Sequence, residues 1–426
     1  MSSHARVGIL LVALGLLVGQ APPARGEAVS LEEEVGRLKA RVEALEHRAP
    51  SGPLLPGLKV YGGLTVIGQG SANNLERFGG NRGDSTLSAD LFIETAVGEH
   101  GTFLLRLDVE QGAGVTRLPP LFTSPDGNTT GPNNRAETWV NPELINLNEA
   151  RYEHRLWHNR LVVTLGHIDL TGSFDENVFA NKETFQYIAQ SFNNNIAIDW
   201  GGSVNFFGPG AILTASPTDR WTIRLGWFEG DGNHTELFDQ PFVGGQITMK
   251  IQPGGREGNY RLYGWDRATP HCRSATGRAV LANCDLVPAP DQITVKGNNA
   301  GAGVSLDQWL TDRLGAWARY GFQDGEVAQF AHATSLGLVL SNALGRPHDQ
   351  VGLGYGLVLP ANAYKTATGR DRVEQYAEAY YKYVVSGDGV MAGFHLTPDL
   401  QMVVNPAGDG AVDPVVIYGL RAQANF

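Results

Sequence analysis

The sequence predicts an all-β chain: a transmembrane antiparallel β-barrel of about sixteen strands behind a short N-terminal helix of coiled-coil type. Three observations lead there. Apolar residues recur with period two from about residue 58 onward, short and long joins alternate between those runs, and the alternation continues to a terminal Phe426. Glycine supplies 54 of the 426 residues, roughly 13% where about 7% is ordinary. Aromatic residues at 9%, charged residues at 18% and a net charge of -11 exclude a disordered chain and a nucleic-acid binder, which phosphates would repel.

The N-terminus comes first. His4 and Arg6 precede an apolar run from Val7 to Gly19, and Ala24-Arg25-Gly26 places small residues at two cleavage positions. Residues 1–26 are therefore expected to be a secretory signal peptide. The run of about 13 residues is short of the roughly 20 that a spanning helix needs. In residues 27–57 the rhythm is helical: Leu31, Val35, Leu38, Val42 and Leu45 alternate steps of four and three, with Glu34 able to meet Lys39 and Arg41 able to meet Glu46 on a neighbouring helix. That is a heptad seam, expected to join copies of the chain into a homotrimer on the periplasmic side. Pro50 to Pro53 then break the helix and act as a linker.

Residues 58–426 are expected to form the barrel. Leu58, Val60, Leu64 and Val66 alternate with Lys59, Tyr61 and Thr65, and Trp221, Ile223, Leu225 and Trp227 alternate with Thr222, Arg224 and Gly226. Each run has one apolar face and one polar or small face. Short turns are expected near Gly98–Gly101, His158–Arg160, Pro217–Arg220, Arg256–Asn259, Thr311–Arg313, Gly345–Asp349 and Gly387–Gly389, with longer Gly- and Asn-rich joins between them. Seven turns with both chain ends on the same side imply eight long loops and about sixteen strands, each of about 9 to 11 residues. Gly352, Gly354 and Gly356 alternate with Val351, Leu353 and Tyr355, which marks a strand whose bare inner face lets another segment come close.

At the C-terminus, Tyr418, Leu420, Ala422, Ala424 and Phe426 share one face while Arg421, Gln423 and Asn425 share the other. In a soluble protein such a strand is an exposed edge, whereas a closed barrel pairs it with the first strand. Its terminal Phe426 also resembles the signal that barrel-assembly machinery recognises.

Several ordered motifs carry a family resemblance. Gly166-His167-Ile168-Asp169-Leu170-Thr171-Gly172-Ser173-Phe174-Asp175-Glu176-Asn177, followed by Ala180-Asn181-Lys182-Glu183-Thr184-Phe185-Gln186-Tyr187, looks like the long-loop motif of carbohydrate-selective porins of the OprB type. So do Glu378-Ala379-Tyr380-Tyr381-Lys382-Tyr383, Leu396 to Gln401, Val404-Asn405-Pro406 and the final Gly419-Leu420-Arg421. His167 stands where that pattern favours Lys or Arg. The resemblance implies a Gram-negative outer-membrane barrel through which glucose and other sugars diffuse passively into the periplasm. General small-solute porins and secreted carbohydrate-binding β-proteins remain the competing classes. Solutes and membrane lipids, with no nucleic acid and no cofactor, are the expected partners.

Strand parity then nominates the inner face. Charged side chains facing lipid would cost about 2 to 4 kcal/mol at the midplane, so Asp90, Glu94, Arg106, Asp108, Glu110, Glu149, Arg151, Arg224, Arg319, Glu378 and Lys382 are expected to line the pore. Asp175, Glu176 and Asn177 sit in a segment, Thr171 to Asp199, whose amides, carboxylates and rings suit sugar contact, and that segment is expected to fold into the lumen. Three adjacent oxygen-bearing residues are too weak a pattern for a metal site. Cys272 and Cys284 lie in one long join and are expected to form a disulfide in an oxidising compartment, which stabilises by about 3 kcal/mol in the chain-entropy model. No enzyme motif is present: there is no G-x-S-x-G, no Walker loop and no H-E-x-x-H.

Overall fold

The computed structural model describes residues 57–72, 83–112, 145–200, 207–230, 239–274, 282–283, 292–385 and 393–426, together with isolated positions at 115, 118, 121–125, 234 and 237. The expected signal peptide, the expected heptad helix and the expected trimer contact lie outside the described residues. So do Cys284 and the side chain of Cys272.

Sixteen strands close into one antiparallel barrel. In chain order the first nine are β1 (Lys59–Ala72), β2 (Gly83–Val97), β3 (Gly101–Gln111), β4 (Asn146–Leu156), β5 (Leu161–Asp169), β6 (Phe207–Ala215), β7 (Trp221–Glu229), β8 (Pro241–Ile251) and β9 (Gly258–Arg267). A small three-stranded sheet of β10 (His271–Ser274), β11 (Ala282–Asn283) and β12 (Gln292–Lys296) stands in the join that follows. The barrel resumes with β13 (Asn299–Trp309), β14 (Leu314–Gln323), β15 (Phe330–Ser341), β16 (Gln350–Pro360), β17 (Glu374–Val384), β18 (His395–Val404) and β19 (Val415–Asn425). Among the described residues two short α-helices lie in joins, α1 (Gln190–Asn193) and α2 (Asn362–Thr368).

Closure uses the two ends of the alternation. β1 pairs with β19 from Gly63↔Asn425 to Ala72↔Val416, and Gly62 and Phe426 exchange backbone hydrogen bonds of 3.1 and 3.0 Å. Every barrel strand thus has two neighbours, which is what a spanning sheet needs where no water can satisfy an edge. Parity holds as expected: Arg421 and Gln423 are buried on the inner face, while Tyr418, Leu420, Leu262 and Leu336 form part of an exposed outer apolar surface. Among the described residues no helix is long and apolar enough to cross a membrane.

Two expectations need correction. Join length does not separate the two rims: the join between β14 and β15 spans only residues 324–329, although it lies on the rim away from the chain ends. The expected turn at Arg256–Asn259 sits earlier, around Pro253–Gly255, with Asn259 already inside β9. Period two also breaks at Ala331, between β15 and β16, and again between β3 and β4. Arg106 pairs with Glu149 and Leu107 with Leu147, so Asn148 is a bulge residue, and both Asn148 and Glu149 are buried.

Candidate functional site

The segment between β5 and β6 folds into the barrel and divides its interior. On one side it is fastened to the wall. Arg319 of β14 pairs with Asp175 (Nε to Oδ2, 2.8 Å) and donates to the carbonyls of Phe192 (2.5 Å) and Asp175 (2.9 Å). Glu378 of β17 accepts from the backbone N–H groups of Ile188 and Ala189, and Arg421 of β19 donates to the carbonyls of Glu183 and Gln186. Asn177 donates to Ser305 Oγ (3.2 Å) and the Leu306 carbonyl (3.0 Å) on β13, and Arg224 of β7 pairs with Glu176 at 2.9 Å. An irregular segment at membrane depth carries unsatisfied backbone groups, and these inward side chains satisfy them.

Aromatic packing fills what the hydrogen bonds leave. Tyr187 meets Trp317 and Tyr380 edge-on at 5.4 and 5.1 Å, and Phe192 lies 4.7 Å from Tyr376. The bare inner face at Gly354 is the seat: a Cβ there would lie 2.9 Å from Tyr187 and 3.1 Å from Phe192. Gly226 and Gly244 seat Phe174 in the same way. Near the end of the segment, Asp199 binds Arg267 (2.6 Å), His271 (2.7 Å) and Asn299 (3.1 Å). Burial alone would raise the Asp199 carboxyl, but the Arg267 charge and the hydrogen bonds from His271 and Asn299 hold it well below the usual carboxylate range. A second join also reaches in: the N–H groups of Phe122 and Thr123 donate to Glu374 at 3.0 and 2.8 Å.

On the other side of the segment lies a cavity of about 920 Å³, walled by β1 to β6 and the end of β19 and faced by the segment from Thr171 to Asn194. At its centre Arg106 donates from Nε to Asp90 (2.9 Å), with Asp169 4.0 Å away. Its guanidinium carbon is 5.4 Å from the Phe92 ring and 5.5 Å from the Phe207 ring, and Tyr61 stacks on Phe92 at 5.0 Å. Asp108 accepts from Asn148 at 3.1 Å.

Six residues nominated from parity or from the inserted segment border this cavity: Asp90, Arg106, Asp108, Glu110, Glu176 and Asn177. Eight do not. Asp175, Arg224, Arg319 and Glu378 hold the inserted segment, because a charge facing the segment finds its backbone before it finds water. Glu94 lies near the rim of the chain ends, paired with Lys59 at 2.7 Å, and Glu149 and Arg151 pair with each other at 3.1 Å. Lys382 lies on the inner face near Arg421. Sequence reasoning missed Phe92, Tyr61 and Phe207. The first two were accessible, since Phe92 shares the parity of Asp90 and Tyr61 that of Lys59; Asn148 was hidden by the bulge.

A closed sixteen-stranded barrel with an inserted segment and a polar cavity is an outer-membrane porin. A family model described as carbohydrate-selective porin, OprB family, matches residues 76–426, and the chain belongs to that family. Its fold matches the structure titled as high-pH Pseudomonas putida OprB with a TM-score of 0.70 at 17% identity, covering 91% of this chain and 96% of that one. The outer membrane channel DcaP of Acinetobacter baumannii aligns with a TM-score of 0.54 at 14% identity, over 87% of this chain and 97% of that one. Among curated proteins, Porin AaxA of Chlamydia muridarum is 21% identical over 268 residues, 62% of this chain and 52% of the relative. Porin AaxA of Chlamydia felis is 24% identical over 267 residues, 62% of this chain and 54% of the relative. The chain spans about half the length of these curated relatives.

Proposed function

We propose that this porin passes small neutral carbohydrates, glucose among them, by passive diffusion, with the rim that carries both chain ends facing the periplasm. The observation that carries the reading is the Arg106 group. A planar donor fork lies between the Phe92 and Phe207 rings, next to the acceptors of Asp90 and Asp169. A sugar needs this pairing, with donors and acceptors for its hydroxyls and flat apolar faces for its ring carbons. Weak contacts spread over several groups let it leave again. A cavity of about 920 Å³ also leaves room for hydration water around such a solute. The heptad at residues 31–46 would gather three barrels at the same rim, in which case removing residues 27–50 lowers the mass measured in detergent.

Single-channel conductance of the purified protein in a planar bilayer, titrated with glucose, a disaccharide and phosphate, is the test. Concentration-dependent block by sugar is expected, weakened about tenfold in Arg106→Leu, which corresponds to about 1.4 kcal/mol. Clear conductance steps with no sugar block would leave a general small-solute porin.

A further inference from the structure

One side chain closes the turn that the inserted segment presents to the cavity. Val178, Asn181, Lys182, Glu183, Thr184 and Phe185 border the cavity from the segment, as Arg106 does from β3. The chain enters this turn along β13, where the Val178 N–H donates to Asp307 (3.3 Å) and Phe179 meets Trp309 edge-on at 4.8 Å. It leaves at Arg421, which donates to the carbonyls of Glu183 and Gln186. The two legs are joined by Gln186. Its Oε1 accepts from the backbone N–H groups of Asn181 (2.7 Å) and Lys182 (3.0 Å), and its Nε2 donates to the Val178 carbonyl (2.7 Å). Its own N–H donates to the Lys182 carbonyl at 2.8 Å, and the Phe185 N–H reaches the same oxygen at 3.1 Å.

A side-chain amide suits this task. Its carbonyl has two lone pairs for two N–H groups, and the NH2 beside it serves a carbonyl. A carboxylate offers the acceptors alone, and an alkyl chain offers neither. These three side-chain bonds all end within the segment, whereas Arg319, Glu378 and Arg421 reach it from the wall. Gln186 itself borders the cavity, so water can reach the backbone groups that it binds. Removing it therefore costs little stability, because water takes up the freed hydrogen bonds. The cost in position is larger. A passage discriminates by the groups at its narrowest point, and such groups act only while they are held to within about 0.5 Å. Lys182 is exposed on this turn, and Phe185 lies against the His395 ring at 5.4 Å.

We propose that Gln186 is the positioning residue that sets the bore of the channel, by holding the turn from Val178 to Gln186 at a fixed distance from the Arg106 wall. This rests on the porin reading but not on the sugar reading. The test is the size limit of the full-length protein in a planar bilayer, read in KCl from the conductance with polyethylene glycols of increasing length, so that no sugar enters the measurement. The wild type is expected to show quiet steps and a sharp limit. Gln186→Leu should admit larger polymers and add open-state current noise, because the turn is then free to swing. Gln186→Glu should fall between the two, since it keeps acceptors for Asn181 and Lys182 but loses the donor to Val178. The midpoint of the heat-induced gel shift should stay at the wild-type value in both variants. If Gln186→Leu does not yield a heat-modifiable barrel, Gln186→Asn, which keeps the amide on a shorter stem, carries the same test. An unchanged size limit and unchanged noise in a folded variant overturn the proposal. So does a limit that shifts only together with a large fall in the gel-shift midpoint, which would make Gln186 a fastening of the whole segment. Sugar block that fails in the wild type beside a size limit that moves in Gln186→Leu would sink the sugar reading and keep this one.

Discussion

The two halves of the barrel interior use the same residue types for opposite ends. From β7 through β19, Arg224, Arg319, Glu378 and Arg421 point inward and are consumed by the inserted segment. From β1 through β5, Asp90, Arg106, Asp108 and Glu110 point inward just as regularly and face an open cavity. Strand parity treats the two sets alike, because the pleat sends every second side chain to the lumen on all strands. What differs is the material opposite. Buried backbone carbonyls and N–H groups of the segment take the first set, while the second keeps its capacity for a solute. A charged residue in a pore is therefore a clamp or a contact according to its neighbour, not its own chemistry.

The sharpest way to break this contrast is at Arg319. It is 2% exposed and pairs with Asp175, which is 0% exposed. Arg319→Leu should leave a buried carboxylate without its cation, a loss of about 3 to 5 kcal/mol. The expected readout is a lower midpoint for the heat-induced gel shift, together with a larger and noisier single-channel conductance as the segment comes away from β14. By contrast, Arg106→Leu should leave the gel shift nearly unchanged, because Asp90 keeps access to water. A conductance unchanged in Arg319→Leu would mean that the remaining hydrogen bonds hold the segment without this pair.

The next effect isolates packing from charge. Gly354→Leu would drive a side chain into Tyr187 and Phe192, whereas a Cβ at Gly68 meets nothing within 4 Å. Overpacking of this kind costs typically about 1 to 3 kcal/mol. Gly354→Leu is expected to raise conductance and weaken sugar block, with Gly68→Ala behaving as wild type. Equal behaviour of the two variants would show that the aromatic seat contributes nothing to segment position.

Most of the barrel was legible in the sequence, because period two and the parity of the last strand each report backbone geometry directly. The bare strand at Gly352–Gly356 was legible too, as a place of close approach, and Tyr187 and Phe192 prove to be what approaches Gly354. The division of the lumen was not. Nothing local to Arg319 or Arg106 distinguishes them, since their partners Asp175 and Asp90 lie 144 and 16 positions away in the chain. The bulge at Asn148 escaped for a related reason: it has no glycine to mark it, and it exists only in the pairing of β3 with β4.

The smallest expected effect concerns the far end of the inserted segment, and it carries a sign in pH. Asp199 keeps its carboxyl well below the usual range in the folded barrel, despite burial, because Arg267 and the donors His271 and Asn299 favour the charged form. The unfolded chain titrates near 3.9 or so. A depressed folded-state value means that the unfolded chain takes up its proton first, so the stability due to this clamp is complete above about pH 4 and is lost as pH falls through the folded-state value. Asp199→Asn should therefore lower the gel-shift midpoint at neutral pH by the equivalent of about 1.5 to 3 kcal/mol, the range for hydrogen bonds to charged groups. In acid the gap between variant and wild type should close, because the wild type loses there what the variant never had. A gap that stays constant from neutral pH into acid would show that the Asp199 charge plays no part in holding the segment and that its contacts act only as neutral hydrogen bonds.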